Sequence, residues 1–189
     1  VVKRCAMKKI MCAMMCLLMI ISTIFCLGGC KSRTDEMFNL DKYTDKQMNK
    51  TKNQVIKCIN AQDKEGLKKL FSKDAQKHIE DLDGKLDKLI GAFNGNKIES
   101  EKGSGTDFEG SIDAQPLHIY GDYVLKLSNG KEYTLFISFC DRDDENPDKK
   151  GLIQIDLRTF SKEETPKGFH GGVYKDDYAL SIHTLENAQ

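Results

Sequence analysis

The chain has 189 residues, and its 29 lysines and arginines balance 29 aspartates and glutamates. That balance excludes the basic footprint of a nucleic-acid-binding protein, so no nucleic-acid partner is expected. It conceals an asymmetry: positions 1–29 hold Lys3, Arg4, Lys8 and Lys9 and no acidic side chain, which leaves the remainder mildly acidic and mixed in sign.

The segment MKKIMCAMMCLLMIISTIFCLGGC places Lys8 and Lys9 ahead of an apolar run from Ile10 to Leu27. This is the order of an export signal, and it predicts removal of residues 1–29. Leu27, Gly28, Gly29 and Cys30 close the run and resemble the lipobox of bacterial lipoproteins, in which the thiol takes a diacylglycerol and the peptide is cut just before it. The alternative is a spanning helix, since residues 10–30 would cross a hydrocarbon core of ~30 Å at ~1.5 Å per residue. Such a helix has no reason to end in Leu-Gly-Gly-Cys. Lipidation at Cys30 would place the protein on the extracytoplasmic face of the cell membrane. Two or more acyl chains, at about 0.8 kcal/mol per buried methylene, would hold it there durably. Residues 30–43 then read as a polar, aperiodic, lipidated tether.

Thr44 and Gln47 form a capping box, which predicts a helix with Thr44 as N-cap. Met48, Val55, Cys58, Ile59 and Gln62 fall on one face of it, while Lys46, Lys50, Lys57 and Asn60 face out. Asp63 caps a second helix with a stripe of Leu67, Leu70 and Phe71. Ile79, Leu82, Leu86, Leu89, Ile90 and Phe93 recur at helical spacing across Gly84, either one kinked helix or two short ones, stopping at Asn94-Gly95-Asn96. A weak edge strand around Phe108 follows. From His118 the period becomes two: HIYGDYVLKL and EYTLFISFC flank SNGK, and Asn129-Gly130 between such runs is a strong hairpin signal. GLIQIDLRTF supplies a further strand. Residues 161–189 show no period and are expected as a strap or a partly disordered tail. Helices first and an antiparallel sheet second define an α+β domain over residues 44–160.

Three helices followed by a curved antiparallel sheet resemble the nuclear-transport-factor-2-like, or cystatin-like, cone fold. More narrowly, DKEGLKKLFS, SNGKEYTLFISF and DENPDKKGLIQIDL resemble a family of uncharacterised lipoproteins of Gram-positive bacteria, the domain of unknown function 5104, over roughly residues 40–160. The resemblance implies a fold and a location and brings no activity with it.

Five of the seven cysteines (Cys5, Cys12, Cys16, Cys26, Cys30) lie in the first thirty residues. Cys58 and Cys140 remain for the fold, as two small buried hydrophobes or as one disulfide in an oxidising compartment. A two-residue turn at Asn129-Gly130 sets Ser128 opposite Lys131, Val124 opposite Leu135, Asp122 opposite Ile137 and Tyr120 opposite Phe139. His118, Tyr120, Asp122 and Tyr133 then share an apolar face and form the candidate pocket. A carboxyl or imidazole there would titrate away from its usual range. The alternative makes them rim residues or satisfied core hydrogen-bonders, and a bulge at Gly121 would scramble the alternation.

Other motifs carry no chemistry. His78, His118, His170 and His183 fall in no HExxH, and no serine sits in GxSxG, so catalytic residues are not assigned. The acidic loop from Asp141 has Asn146 where a calcium loop needs glycine and Leu152 where it needs glutamate, and reads as a solvated turn bent by Pro147. EKGSGTDFEG leads into no phosphate cradle. GFHGGVYKDDY is a docking strap or a loose tail. No metal and no cofactor is expected. The leading expectation is a membrane-tethered, non-catalytic module binding a small ligand, an envelope component or a protein. The alternative is a pocket enzyme of the cone-fold type, isomerase- or dehydratase-like, using Asp or His.

Overall fold

The computed structural model describes residues 33–110, 116–161, 164–166 and 178–186. Cys30 and the apolar segment before it lie outside the described residues, as do residues 167–177 with most of GFHGGVYKDDY. Leu40–Gln189 forms one compact unit and Val1–Asn39 another. No helix among the described residues is long and apolar enough to cross a membrane.

Helix α1 runs Arg33–Ala61, so it begins well before Thr44. Thr44 is 1% exposed inside the helix, and its hydroxyl donates to the Asp41 carbonyl at 3.0 Å. The capping-box motif therefore marks no terminus here. Leu40 and Tyr43 pack with the core ahead of it, and tertiary burial carries the helix through the motif. Residues 33–43, expected as an aperiodic tether, are helical. Met48, Val55 and Ile59 are buried along the inner face as expected, with Cys58 half-buried beside them. Two flank assignments change. Gln62 is exposed and ends the helix at φ +54°, while Asn60 turns inward and brackets Ile98, donating to its carbonyl at 3.0 Å and accepting from its N–H at 2.8 Å.

Helix α2, Lys64–Leu70, is capped by Asp63, whose carboxylate accepts from the Gly66 N–H at 2.8 Å. Helix α3, Lys73–His78, is capped by Ser72, and α4, Leu82–Ala92, by Asp81. Of the two expected arrangements, one kinked helix or two short ones, the structure has two short helices, and the break falls at the left-handed Asp81 rather than at Gly84. The chain leaves α4 through positive φ at Asn94 and Gly95, as the sequence predicts.

Among the described residues five strands follow: β1 Ile98–Glu109, β2 Leu117–Leu127, β3 Glu132–Arg142, β4 Gly151–Arg158 and β5 Ala179–His183. They lie side by side in chain order, antiparallel from β1 to β4 and parallel between β4 and β5. The domain is α+β as expected, but its sheet is mixed rather than purely antiparallel. β1 spans twelve residues instead of a short edge near Phe108. The tail after residue 160 holds β5, whose short run buries only Leu180 and so shows no period.

The hairpin register differs by one residue from the two-residue-turn expectation. Leu127 N–H donates to the Lys131 carbonyl at 2.9 Å and Gly130 N–H to the Leu127 carbonyl at 2.8 Å, so Ser128, Asn129 and Gly130 form a three-residue loop with Gly130 at φ +81°. Tyr120 therefore pairs with Ser138, Asp122 with Phe136 and Val124 with Thr134. A one-residue shift exchanges the faces of a whole strand. No bulge arises at Gly121, which pairs regularly with Ile137 and Thr106; the irregularities in these two pairings fall at Leu117/His118 in β2 and at Ile98/Ser100 and Gly103/Gly105 in β1.

The helices cover the face formed by Ile119, Tyr123, Leu125 and Leu127 of β2 with Leu135, Ile137 and Phe139 of β3. Ile155, Leu157 and Leu180 continue it across β4 and β5. Each fully buried leucine or isoleucine contributes about 1.5–3 kcal/mol, and this layer is the main source of stability. Lys52 is a charged exception within it. Its ammonium lies 2.6 Å from Glu101 and 5.1 Å from the Tyr123 ring centroid, so both charge and stem are satisfied.

Candidate functional site

Side chains alternate along a strand, so the face turned away from the helices carries His118, Tyr120 and Asp122 of β2, Phe136, Ser138 and Cys140 of β3, Gln154, Asp156 and Arg158 of β4, and Ser181 and His183 of β5. Phe136, Gln154 and Asp156 are all 1–2% exposed, so the middle of this face is covered too. Asp122, Phe136, Asp156 and Ser181 form one cross-strand row, with Arg158 and His183 paired in the next.

Four titratable side chains meet there. Arg158 Nη2 lies 3.9 Å from Asp122 Oδ1, and its Nε lies 3.5 Å from Asp156 Oδ1. His183 Nε2 lies 3.3 Å from Asp156 Oδ2. Burial pushes the Asp156 carboxyl above its usual range, against the pull of His183 and Arg158. Asp122 is also raised by burial; Arg158 opposes the shift and Asp156 reinforces it. Arg158 thus sits between two carboxylates, and Asp156 holds the His183 ring in place. The Asp122 side chain is 41% exposed against 1% for Asp156, so the network opens to solvent at Asp122. At that end it can accept hydrogen bonds from a ligand.

The four residues expected to converge do not do so. Asp122 belongs to the network, and Tyr120 lies beside it with its ring 6.4 Å from Phe136. Tyr133 is on the opposite face, the direct consequence of the corrected register. It packs against Phe93 at 5.6 Å and donates to the Ala92 carbonyl at 3.2 Å. His118 is four residues from Asp122, or roughly 13 Å along the strand at ~3.3 Å per residue. It lines a separate cavity of about 270 Å³ with Cys140, Asp143, Lys149 and Tyr178. There Tyr178 is already committed, donating to Asp74 at 2.6 Å and stacking on His78 at 5.4 Å.

Asp156, Arg158 and His183 were absent from the sequence expectation. Asp156 and Arg158 alternate with Ile155 and Leu157, so an opposite-charge pair two residues apart on the non-core face of a strand was a usable signal. His183 lies in the aperiodic tail and offered none.

Cys58 and Cys140 are both free, so the disulfide is not formed. Cys58 packs on the helical side and Cys140 occupies the other face of β3, which separates the two thiols by the sheet. Burial and the neighbouring Asp143 and Asp141 push the Cys140 thiol up to about 11, which keeps it protonated and unreactive at neutral pH. In the acidic loop, Asp143 is buried and accepts from the Asn146 N–H at 2.8 Å, with Pro147–Lys149 forming one 3₁₀ turn. Among the described residues no three His, Cys, Asp or Glu side chains are grouped as a metal ion requires.

Fold and site together define a small α+β domain with helices on one side of a mixed sheet and a partly accessible charge network on the other. The chain belongs to the family described as a domain of unknown function (DUF5104), whose model matches residues 54–163, more than half its length. Asp122, Asp156 and Arg158 fall inside that match, and His183 lies beyond it. No curated protein matches the chain.

Proposed function

We propose that this chain is a lipid-anchored, extracytoplasmic binding module of the cone-like type, without catalysis of its own. The observation that carries the binding role is the Asp122–Arg158–Asp156–His183 network. Its inner charges are matched within the protein, and one carboxylate is left facing out beside Tyr120. Such an arrangement suits a ligand that brings hydroxyl or ammonium donors on a ring, as an amino sugar does. Helices on one face of a mainly antiparallel sheet support the cone-like reading, from which the parallel β5 departs. The anchor rests on Leu27-Gly28-Gly29-Cys30 at the end of the uncharged run.

Two measurements test this. In cells fed an alkyne-tagged fatty acid, the chain takes up label and fractionates with membrane, and Cys30→Ala loses both; a Cys30→Ala protein that stays labelled refutes the anchor. Titration with glucosamine gives saturable binding that Asp122→Asn weakens at least tenfold, and unchanged binding in that variant removes the site. The enzymatic reading draws on Asp122 and Asp156 both being raised by burial with His183 at 3.3 Å. It requires turnover of the bound compound that is lost in His183→Gln while binding persists.

A further inference from the structure

The flank of α1 beside its core stripe is more than a solvated surface. Gln47, Lys50, Thr51 and Gln54 follow the spacing of one helical face, and they form one wall of a cleft of about 260 Å³ against the adjoining ends of β3 and β4. Gln47 and Thr51 are half-buried, yet neither side chain hydrogen-bonds to another described residue. Amide and hydroxyl groups held in a concavity without internal partners are available to a ligand.

The floor is apolar and rigidly supported. Phe139 and Leu152 lie beneath the polar wall at 4% and 1% exposure. Leu152 is tied to the α2–α3 junction, since its carbonyl accepts from the Ser72 N–H at 3.0 Å. That approach needs Gly151, which has φ +127° and where a Cβ would stand 2.8 Å from the Ser72 nitrogen.

The charges are uneven. Asp141 on the rim is already answered from outside the cleft: Tyr43 Oη donates to it at 2.6 Å, and Arg142 Nε lies 3.8 Å away. Lys150 pairs with Asp144 at 2.8 Å. Lys50 has no ion-pair partner among the described residues, and its exposed ammonium stands at the mouth of the cleft.

We propose that this cleft binds the carboxylate end of a short peptide. The terminal carboxylate meets Lys50, the last peptide group pairs with Gln47, Thr51 and Gln54, and a small apolar side chain rests on Phe139 and Leu152. A glutamine side chain offers one donor edge and one acceptor edge, matching the N–H and C=O of a peptide unit. The volume lies below the ~300–1,000 Å³ of drug-sized sites, which restricts the bound portion to about two residues. This site is distinct from the Asp122 network.

The test is a calorimetric titration of the full chain, purified in detergent, with N-acetyl-alanyl-alanine, with its C-terminal amide and with inorganic phosphate. The acid binds saturably, the amide at least tenfold more weakly, and phosphate does not displace the acid. Lys50→Gln, a substitution at an exposed position, removes the preference for acid over amide without changing the melting temperature. Asp122→Asn leaves dipeptide binding intact, which separates this site from the one above. Equal binding of acid and amide, an unaffected Lys50→Gln variant, absence of saturation, or displacement by phosphate would each overturn the proposal.

Discussion

Asp156 is the residue on which the far face depends. It is buried, and both its carboxylate oxygens are approached by nitrogens, Arg158 Nε at 3.5 Å and His183 Nε2 at 3.3 Å. Removing one member of such a buried set leaves the others poorly compensated, so Asp156→Ala should lose about 3 kcal/mol in urea unfolding. Asp156→Asn should lose less, because it keeps hydrogen-bonding capacity. Burial raises the folded-state pKa above the ordinary 3.8, so between that value and the raised one the folded protein binds more protons than the unfolded chain. The contribution is present below pH 3.8 and is lost as pH rises through the folded value. Wild type minus Asp156→Asn stability should therefore fall with rising pH across that window, and a flat difference would show that Asp156 titrates as it does in the unfolded chain. Asp122 was legible in the sequence because it stands in a clearly alternating strand. Its partners were not, because a charge network spread over β2, β4 and β5 needs the strand order before any of its spacings mean anything.

At the level of elements, most helices and strands followed from capping and period, and the misses have physical causes. The capping box at Thr44 was a local signal overridden by burial of Leu40 and Tyr43 on the same helix. The hairpin was located correctly, but its register turned on whether the loop held two residues or three. Both loops use glycine at positive φ, so composition does not distinguish them. That single ambiguity moved Tyr133 to the wrong face. Two glycines give opposite expectations. Gly91 lies in α4 with nothing within 4 Å of an added Cβ, so Gly91→Ala should stabilise the protein by about 0.5–1 kcal/mol. Gly151→Ala would place a Cβ against the backbone of Leu70 and Ser72 at positive φ, and should cost at least about 2 kcal/mol. Denaturant midpoints of the two variants should move in opposite directions.

For the molecule as a whole, the C-terminal strand decides whether the layer closes. β5 brings Leu180 into the core, and Tyr178 just before it ties that segment to α3 through Asp74. A chain ended at residue 177 should lose more than about 3 kcal/mol, since one buried leucine alone contributes about 1.5–3 kcal/mol and the β4–β5 ladder goes with it. A shallow or absent unfolding transition by circular dichroism would register this; an unchanged midpoint would mean the sheet is complete at β4. The parallel pairing of β4 with β5 also sets an order of events. Antiparallel neighbours from β1 to β4 zip up locally as the chain appears, whereas a parallel neighbour waits for a long connection to be delivered and closed. The domain would thus remain incompletely locked during synthesis until residues 179–183 had been delivered, and its resistance to being pulled apart would arrive in one late step.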